Sequence, residues 1–210
     1  MSTDIAIVDY DMGNVGSVEN MLKKAGRVRV SVTRDAKVIE GADKVVLPGV
    51  GTFDVGAGNL ERLGLREVLD RCVLEDRKPF LGICLGMQLL LDSSDEGKRQ
   101  GLGYISGRCV RFKFDQVGRR QQLKVPHMGW NELEVVRPMP LLEDLPESSR
   151  FYFVHAFYGE CANAADVFAT CRYGLEFPAV IARENVMGTQ FHPEKSHRFG
   201  LTLMRNFLRI

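Results

Sequence analysis

A cysteine between two glycines, in Gly82-Ile83-Cys84-Leu85-Gly86, stands where a nucleophile could work. It follows the apolar run Pro79-Phe80-Leu81 and precedes Met87-Gln88-Leu89-Leu90, so a buried-type strand meets an amphipathic helix at the sulfur. The pattern is the cysteine counterpart of the G-x-S-x-G elbow, in which the reactive side chain sits on a strained turn. Side chains two residues away on either side would collide there, and glycine removes them. A helix opening at Leu85 points N–H groups and its positive dipole end toward the sulfur, which favours negative charge. The Leu85 N–H is then a donor for a tetrahedral oxyanion. Taken alone, the same residues also fit a buried cysteine in a glycine-containing turn. The segment needs a base.

Histidines stand at 127, 155, 192 and 197. His192 follows the strand-like Gly188-Thr189-Gln190-Phe191 and precedes Pro193-Glu194. In an extended segment, residues two apart project to the same side, so Glu194 can lie alongside His192. This makes Cys84, His192 and Glu194 a candidate triad of nucleophile, general base and orienting carboxylate. His127 and His155 remain competing bases, and His197, beside Lys195 and Arg198, reads as a solvated residue. A third element supports the elbow. Leu47-Pro48-Gly49-Val50-Gly51 ends a strand pattern with two glycines around Val50, and such a loop can turn a second oxyanion N–H toward the top of the sheet. A plain glycine-rich turn accounts for it equally well.

These segments need a scaffold, and the first half of the chain supplies one. Strand patterns over 5–9, 27–33, 44–47 and 79–83 alternate with helical spacing over 17–25, 54–76 (broken near Gly64) and 85–91. Strands separated by helices imply βαβ units and a mostly parallel sheet. The second half carries strand patterns over 104–114, 133–136, 151–154, 167–173, 179–182 and 187–191, some of them antiparallel additions to the same sheet, and a closing helix over 198–209. With no repeat or linker across 210 residues, one domain spanning 1–210 is expected.

Composition narrows the function classes. The 28 basic and 27 acidic residues are interspersed, giving a formal net charge of +1 and no case for a nucleic-acid or acidic-membrane surface. No apolar run approaches a membrane span, and the start MSTDIAIVDY has no signal-peptide pattern. Five cysteines at 72, 84, 109, 161 and 171 form no CxxC pair and no metal-like spacing, so no metal is expected and a reducing cytoplasm is. Neither a Walker A loop nor a GxGxxG pattern is present, and no cofactor is expected.

Taken together, Val8-Asp9-Tyr10, Met12-Gly13-Asn14, Pro48-Gly49-Val50-Gly51, Gly82 to Gln88, Pro126-His127-Met128-Gly129-Trp130-Asn131, Tyr152-Phe153-Val154-His155 and Gln190 to Ser196 resemble one family. They look like the class I glutamine amidotransferases and, within these, the glutaminase subunits of imidazole glycerol phosphate synthases. The likeness runs from near residue 5 to the C-terminal helix. It implies a flavodoxin-like α/β fold with a mostly parallel central sheet flanked by helices and antiparallel additions. It assigns Cys84, His192 and Glu194 as the triad and glutamine as the substrate. The glutamine pocket is expected near Gly51, Gln88 and the main chain of His155, Ala156 and Phe157.

A (βα)8-barrel partner is implied too, docking against Asn14, Met128, Trp130 and Tyr152 and receiving the ammonia through an internal passage. Its reaction would yield imidazole glycerol phosphate and an aminoimidazole carboxamide ribotide, in histidine biosynthesis. Three departures from the family pattern are Asp11 for Gly, Thr52 for Ala, and Ala156-Phe157 for a polar-aromatic pair. The Pro48–Gly51 loop is the expected switch, since a flipped peptide there removes an oxyanion donor. The alternatives are a paralogous glutaminase for amidino groups on surface-polysaccharide sugars, a related cysteine peptidase, and a silent regulatory subunit. Gln88 and the PHMGWN segment speak against the peptidase, and three intact triad residue types against the silent subunit.

Overall fold

The computed structural model describes residues 2–114 and 122–210. Its strands are β1 (Thr3–Val8), β2 (Val28–Thr33), β3 (Lys44–Gly49), β4 (Phe80–Cys84), β5 (Ser93–Ser94), β6 (Gly107–Arg111), β7 (His127–Glu132), β8 (Glu134–Val135), β9 (Arg150–His155), β10 (Phe157–Cys161), β11 (Val167–Tyr173), β12 (Leu175–Arg183) and β13 (Val186–Thr189). The helices are α1 (Val15–Ala25), α2 (Ala36–Gly41), α3 (Phe53–Arg62), α4 (Leu65–Asp70), α5 (Leu85–Gln88) and α6 (His197–Arg209), with a π-helical turn over Arg71–Glu75.

The main sheet has the order β2-β1-β3-β4-β13-β12-β11-β8. The first five strands run parallel; β12, β11 and β8 extend them antiparallel. A sheet of this kind is buried on both faces, and the burial of β1 shows it: Ala6 and Val8 join one core, Ile5 and Ile7 the other. Ile39, Phe53, Leu60, Leu69 and Val73, from α2, α3, α4 and the π turn, cover the first face. The second is covered by Val18 and Leu22 of α1 and by Leu203, Met204 and Phe207 of α6. Each of those fully buried α6 side chains is worth about 2 kcal/mol in removed apolar surface.

The expected architecture of parallel βαβ units with antiparallel additions is present, and several elements differ from the sequence patterns. The 104–114 and 151–154 segments do not join the main sheet. β6 pairs with β10 and β5 in a three-stranded sheet, and β9 pairs with β7 in a two-stranded one. The 133–136 pattern shrinks to Glu134–Val135, because the stronger pairing is made just before it by His127–Glu132 against β9. The helix expected over 85–91 stops at Gln88. Residues 101–105 explain this: the N–H groups of Leu102, Ile105 and Gly103 take the carbonyls of Leu89, Leu90 and Leu91. The short α2 had no sequence counterpart; Asp35 caps it by accepting from the N–H groups of Lys37 and Val38.

Sheet order does the positioning. β3, β4 and β13 are adjacent and parallel, with Gly49 opposite Cys84 and Thr189 opposite Ile83. The residues that leave the C-terminal ends of these three strands therefore emerge side by side. Ligands of open α/β sheets bind at that end.

Candidate active site

Cys84 occupies the last position of β4 with φ 55° and ψ −107°, a sparsely populated backbone region for a side-chain-bearing residue. Holding it there costs on the order of 1–3 kcal/mol, which the surrounding packing must offset. The flanking glycines are required sterically. A Cβ on Gly82 would lie 2.6 Å from the Gly86 carbonyl oxygen, and one on Gly86 would run into the Leu47 carbonyl of β3. The tight turn thus aims the sulfur away from the sheet. Burial pushes the thiols of Cys161 and Cys171 up to about 12 and those of Cys72 and Cys109 upward as well. Cys84, in contrast, borders a substrate-sized cavity.

That cavity, of about 400 Å³, is lined by Val50, Gly51, Cys84, Leu85, Gln88, Glu96, Pro126, Val154, His155, Ala156, Phe157 and Lys195. It collects both expected oxyanion residues, Val50 and Leu85, and all five expected pocket residues, Gly51, Gln88, His155, Ala156 and Phe157. A larger cavity of about 700 Å³, around Leu133, Met139, Leu142 and Pro146, holds none of these chemical groups.

His192 leaves β13 two residues after Gln190, and its Nδ1–H donates to Glu194 Oε1 at 2.8 Å, with both side chains almost wholly buried. The backbone is not extended through this pair; Pro193–Lys195 form a 3-10 turn, which swings the carboxylate back onto the ring. Burial lowers the His192 pKa, but the Cys84 sulfur and the Glu194 carboxylate outweigh it and bring the group up to about 9. Among the described residues Nε2 makes no hydrogen bond, and the position is left for the sulfur and its substrate. A main-chain clamp fixes the ring. His192 N–H donates to Tyr152 O at 2.9 Å, Ser196 Oγ donates to His192 O at 2.6 Å, and Tyr152 N–H donates to Ser196 Oγ at 3.0 Å.

The competing histidines do different work. His127 and His155 face each other across β7 and β9, their ring nitrogens 3.2 Å apart, among Phe112, Phe153, Tyr173 and Phe177. With no carboxylate paired to them among the described residues, burial drives them down to about 4 and about 3. His155 Nδ1 lies 2.8 Å from the Phe157 carbonyl, which also accepts from Gln88 Nε2 at 2.9 Å. This is where the Ala156-Phe157 departure falls, and the contribution there is a main-chain oxygen. His197 is exposed and stacks on Trp130, ring centroids 5.2 Å apart.

Sequence patterns missed Glu96, Lys195, Ser196 and the role of Gln190. Glu96 lies on an irregular turn, where it accepts from Phe53 N–H at 2.8 Å, so no periodicity marks it. Gln190 is fully buried, with Nε2 3.9 Å from the Cys84 sulfur. Outside the cavity, Met128 and Trp130 are 62% and 45% exposed on β7, beside Tyr152. Lys195 Nζ lies over the Tyr152 ring, 5.8 Å from its centroid, and Asn14 is exposed at the start of α1. Asp11, with φ 63°, binds Arg34 and Arg62 at 2.7 Å each, which holds a left-handed turn without glycine. No helix among the described residues is long and apolar enough to cross a membrane.

The model of the glutamine amidotransferase class-I family matches residues 6–210. The chain is 46% identical over 205 residues to imidazole glycerol phosphate synthase subunit HisH 2 of Methanococcus maripaludis, covering 98% of each. It is also 46% identical over 207 residues to the protein of the same name from Pseudomonas aeruginosa, covering 98% of this chain and 99% of that one. Among solved structures, PurLQS from Thermotoga maritima aligns with a TM-score of 0.75 at 18% identity, covering 100% of this chain and 99% of that chain, a likeness of fold.

Proposed function

This chain belongs to the class-I glutamine amidotransferase family, and on that premise we propose that it is the glutaminase subunit of an imidazole glycerol phosphate synthase. In this reading residues 1–210 act as one cytoplasmic glutaminase domain. One observation carries the chemistry: Cys84, the His192–Glu194 pair, Val50 and Leu85 converge at the ends of β3, β4 and β13.

The reaction is acyl transfer. Cys84 attacks the side-chain amide carbon of glutamine, and the carbonyl oxygen becomes an oxyanion held by the N–H of Leu85 and one from the Val50 loop. His192 carries a proton near neutral pH and delivers it to the departing ammonia, while Glu194 keeps the ring in register. Water, deprotonated by His192, then breaks the thioester to release glutamate. Gln88 spends its Nε2 hydrogens on Phe157 O and Gln190 Oε1, so it meets the substrate through its Oε1 acceptor. The half-buried Glu96 carboxylate in the same cavity matches the glutamine α-ammonium.

Ammonia released into neutral water is mostly protonated and no longer nucleophilic, which favours a partner that takes it directly. The exposed Met128 and Trp130 with Tyr152 and Asn14 form the proposed docking face for a (βα)8-barrel synthase subunit. Both quoted relatives are numbered second copies, and this keeps a paralogous supply of ammonia to surface-polysaccharide sugars as the competing reading. One assay separates them. The chain is combined with the barrel subunit, the formimino-ribotide acceptor and glutamine. Turnover is expected; Cys84→Ala should abolish it with glutamine and preserve it with ammonium. A complex that ignores this acceptor would overturn the histidine-pathway reading, and full glutamine hydrolysis by Cys84→Ala would overturn the nucleophile.

A further inference from the structure

We propose that Gln190 is a further catalytic residue, whose side-chain N–H donates to the Cys84 sulfur and stabilises its negative charge before attack and on departure from the thioester. The proposal deepens the glutaminase reading and rests on it for the step in which glutamine is consumed. The donor is in place: Gln190 is fully buried, and its Nε2 lies 3.9 Å from Sγ.

An amide can present either its NH2 or its oxygen, and which one faces the sulfur decides the sign of the effect. The surrounding hydrogen bonds leave one choice. The Phe157 carbonyl can only accept, so His155 carries its hydrogen on Nδ1, 2.8 Å away. His155 is neutral down to about pH 3, which leaves Nε2 as a lone pair. His127 Nδ1, 3.2 Å from that lone pair, is therefore the donor of the pair. The same carbonyl takes a second hydrogen from Gln88 Nε2 at 2.9 Å, which orients the Gln88 amide. Its other Nε2 hydrogen points at Gln190 Oε1, 3.3 Å away. Turning Gln190 over would set NH2 against NH2 at Gln88 and an oxygen lone pair against the sulfur. Both contacts repel.

Two sets of donors meet at the Phe157 carbonyl, His127 through His155 on one side and Gln88 on the other, and Gln88 in turn donates to Gln190, which faces Cys84; the five side chains of this network are buried. Two neutral histidines that the triad does not use thereby end on the same carbonyl that anchors the Gln88 amide. During acylation the thiolate gives an electron pair to the amide carbon as ammonia leaves with the His192 proton. During deacylation the C–S bond breaks, its electron pair returns to sulfur, and water supplies the new C–O bond after losing a proton to His192. The Gln190 N–H faces the charged sulfur at both ends of the cycle. A charge-assisted bond to sulfur in a water-poor site is worth roughly tenfold or more in rate.

The test compares wild type with Gln190→Met, which keeps length and removes the donor. Gln190→Leu is the second variant; it fills the same buried position with an apolar side chain and likewise has no donor. Cys84 alkylation by iodoacetamide near neutral pH reads the sulfur without any substrate, and steady-state glutamine hydrolysis reads the reaction. Both variants should alkylate about tenfold or more slowly and lose kcat by at least as much, with KM within about threefold and the thermal midpoint nearly unchanged. Wild-type alkylation and turnover in Gln190→Met would overturn the proposal; should that variant fail to fold, the same outcome in Gln190→Leu would do so. A wild-type chain without glutaminase activity in the presence of the barrel subunit and its acceptor would instead count against the glutaminase reading, while the alkylation comparison still judges Gln190.

Discussion

The buried pair His127 and His155 should make the fold acid-sensitive well above the carboxylate range. Unfolded, each histidine titrates near 6.5; folded, burial holds them at about 4 and about 3. The folded values lie below the unfolded ones, so between these limits the unfolded chain binds protons that the folded chain refuses, and stability falls as pH falls. At pH 5 the unfolded group lies 1.5 units above the solution pH. At about 1.4 kcal/mol per unit, each histidine removes about 2 kcal/mol and the pair about 4 kcal/mol relative to pH 8. Against a typical total of about 5–15 kcal/mol, that is a large loss.

Other groups titrate over the same range, so the measurement is a double difference. His127→Phe is the reference: a phenyl ring can keep the stack on Phe153 and Tyr173, whose centroids lie 4.9 and 4.0 Å from the imidazole. It has no proton to take up. His192 contributes with the opposite sign, since its folded value of about 9 exceeds 6.5. Its contribution is complete below 6.5 and disappears as pH rises through 9, and it is common to both proteins. Urea unfolding at pH 8 and pH 5 should show wild type losing about 2 kcal/mol more than His127→Phe over that interval. Equal losses in the two proteins would mean that His127 is protonated as readily folded as unfolded, and its burial among aromatic rings would not hold it neutral.

Two further outcomes probe the base. In Cys84→Ala, burial remains while the sulfur is gone, so the His192 pKa should fall below its value of about 9, read by NMR titration of the ring protons; an unmoved titration would remove the sulfur from the account. Ser196→Ala leaves Tyr152 N–H without its acceptor and His192 O without its hydroxyl donor, a loss of about 1–3 kcal/mol for a buried group. It should lower kcat for glutamine hydrolysis with KM unchanged and lower the thermal midpoint; wild-type values of both kcat and midpoint would show that the clamp does not hold the base.

How far the site could be read in advance depended on how far apart its partners lie along the chain. Cys84 and its two glycines sit within five residues, and the geometry that requires them is a single turn, so the local pattern carries the information. His192 and Glu194 are two apart, and the spacing served even though the backbone between them curls into a 3-10 turn. Strands alternating with helices likewise exposed the parallel sheet, because burial on both faces leaves continuous apolar runs. Pairing partners in the second half were not legible, since β6 and β9 have the same alternating character whether they join the main sheet or a smaller one.

The histidines show where local reading stops. His127, His155 and His192 are all buried, yet two are driven down and one is raised. The difference lies in what each ring faces: aromatic side chains and each other across the β7–β9 ladder for the first two, a carboxylate and a sulfur for the third. A partner two residues away leaves a trace in the sequence; one 28 residues away, brought in by a strand pairing, leaves none. Gln190 is the extreme case, because its chemical sense depends on Gln88 and the Phe157 carbonyl, and only the assembled network turns its N–H rather than its oxygen toward Cys84.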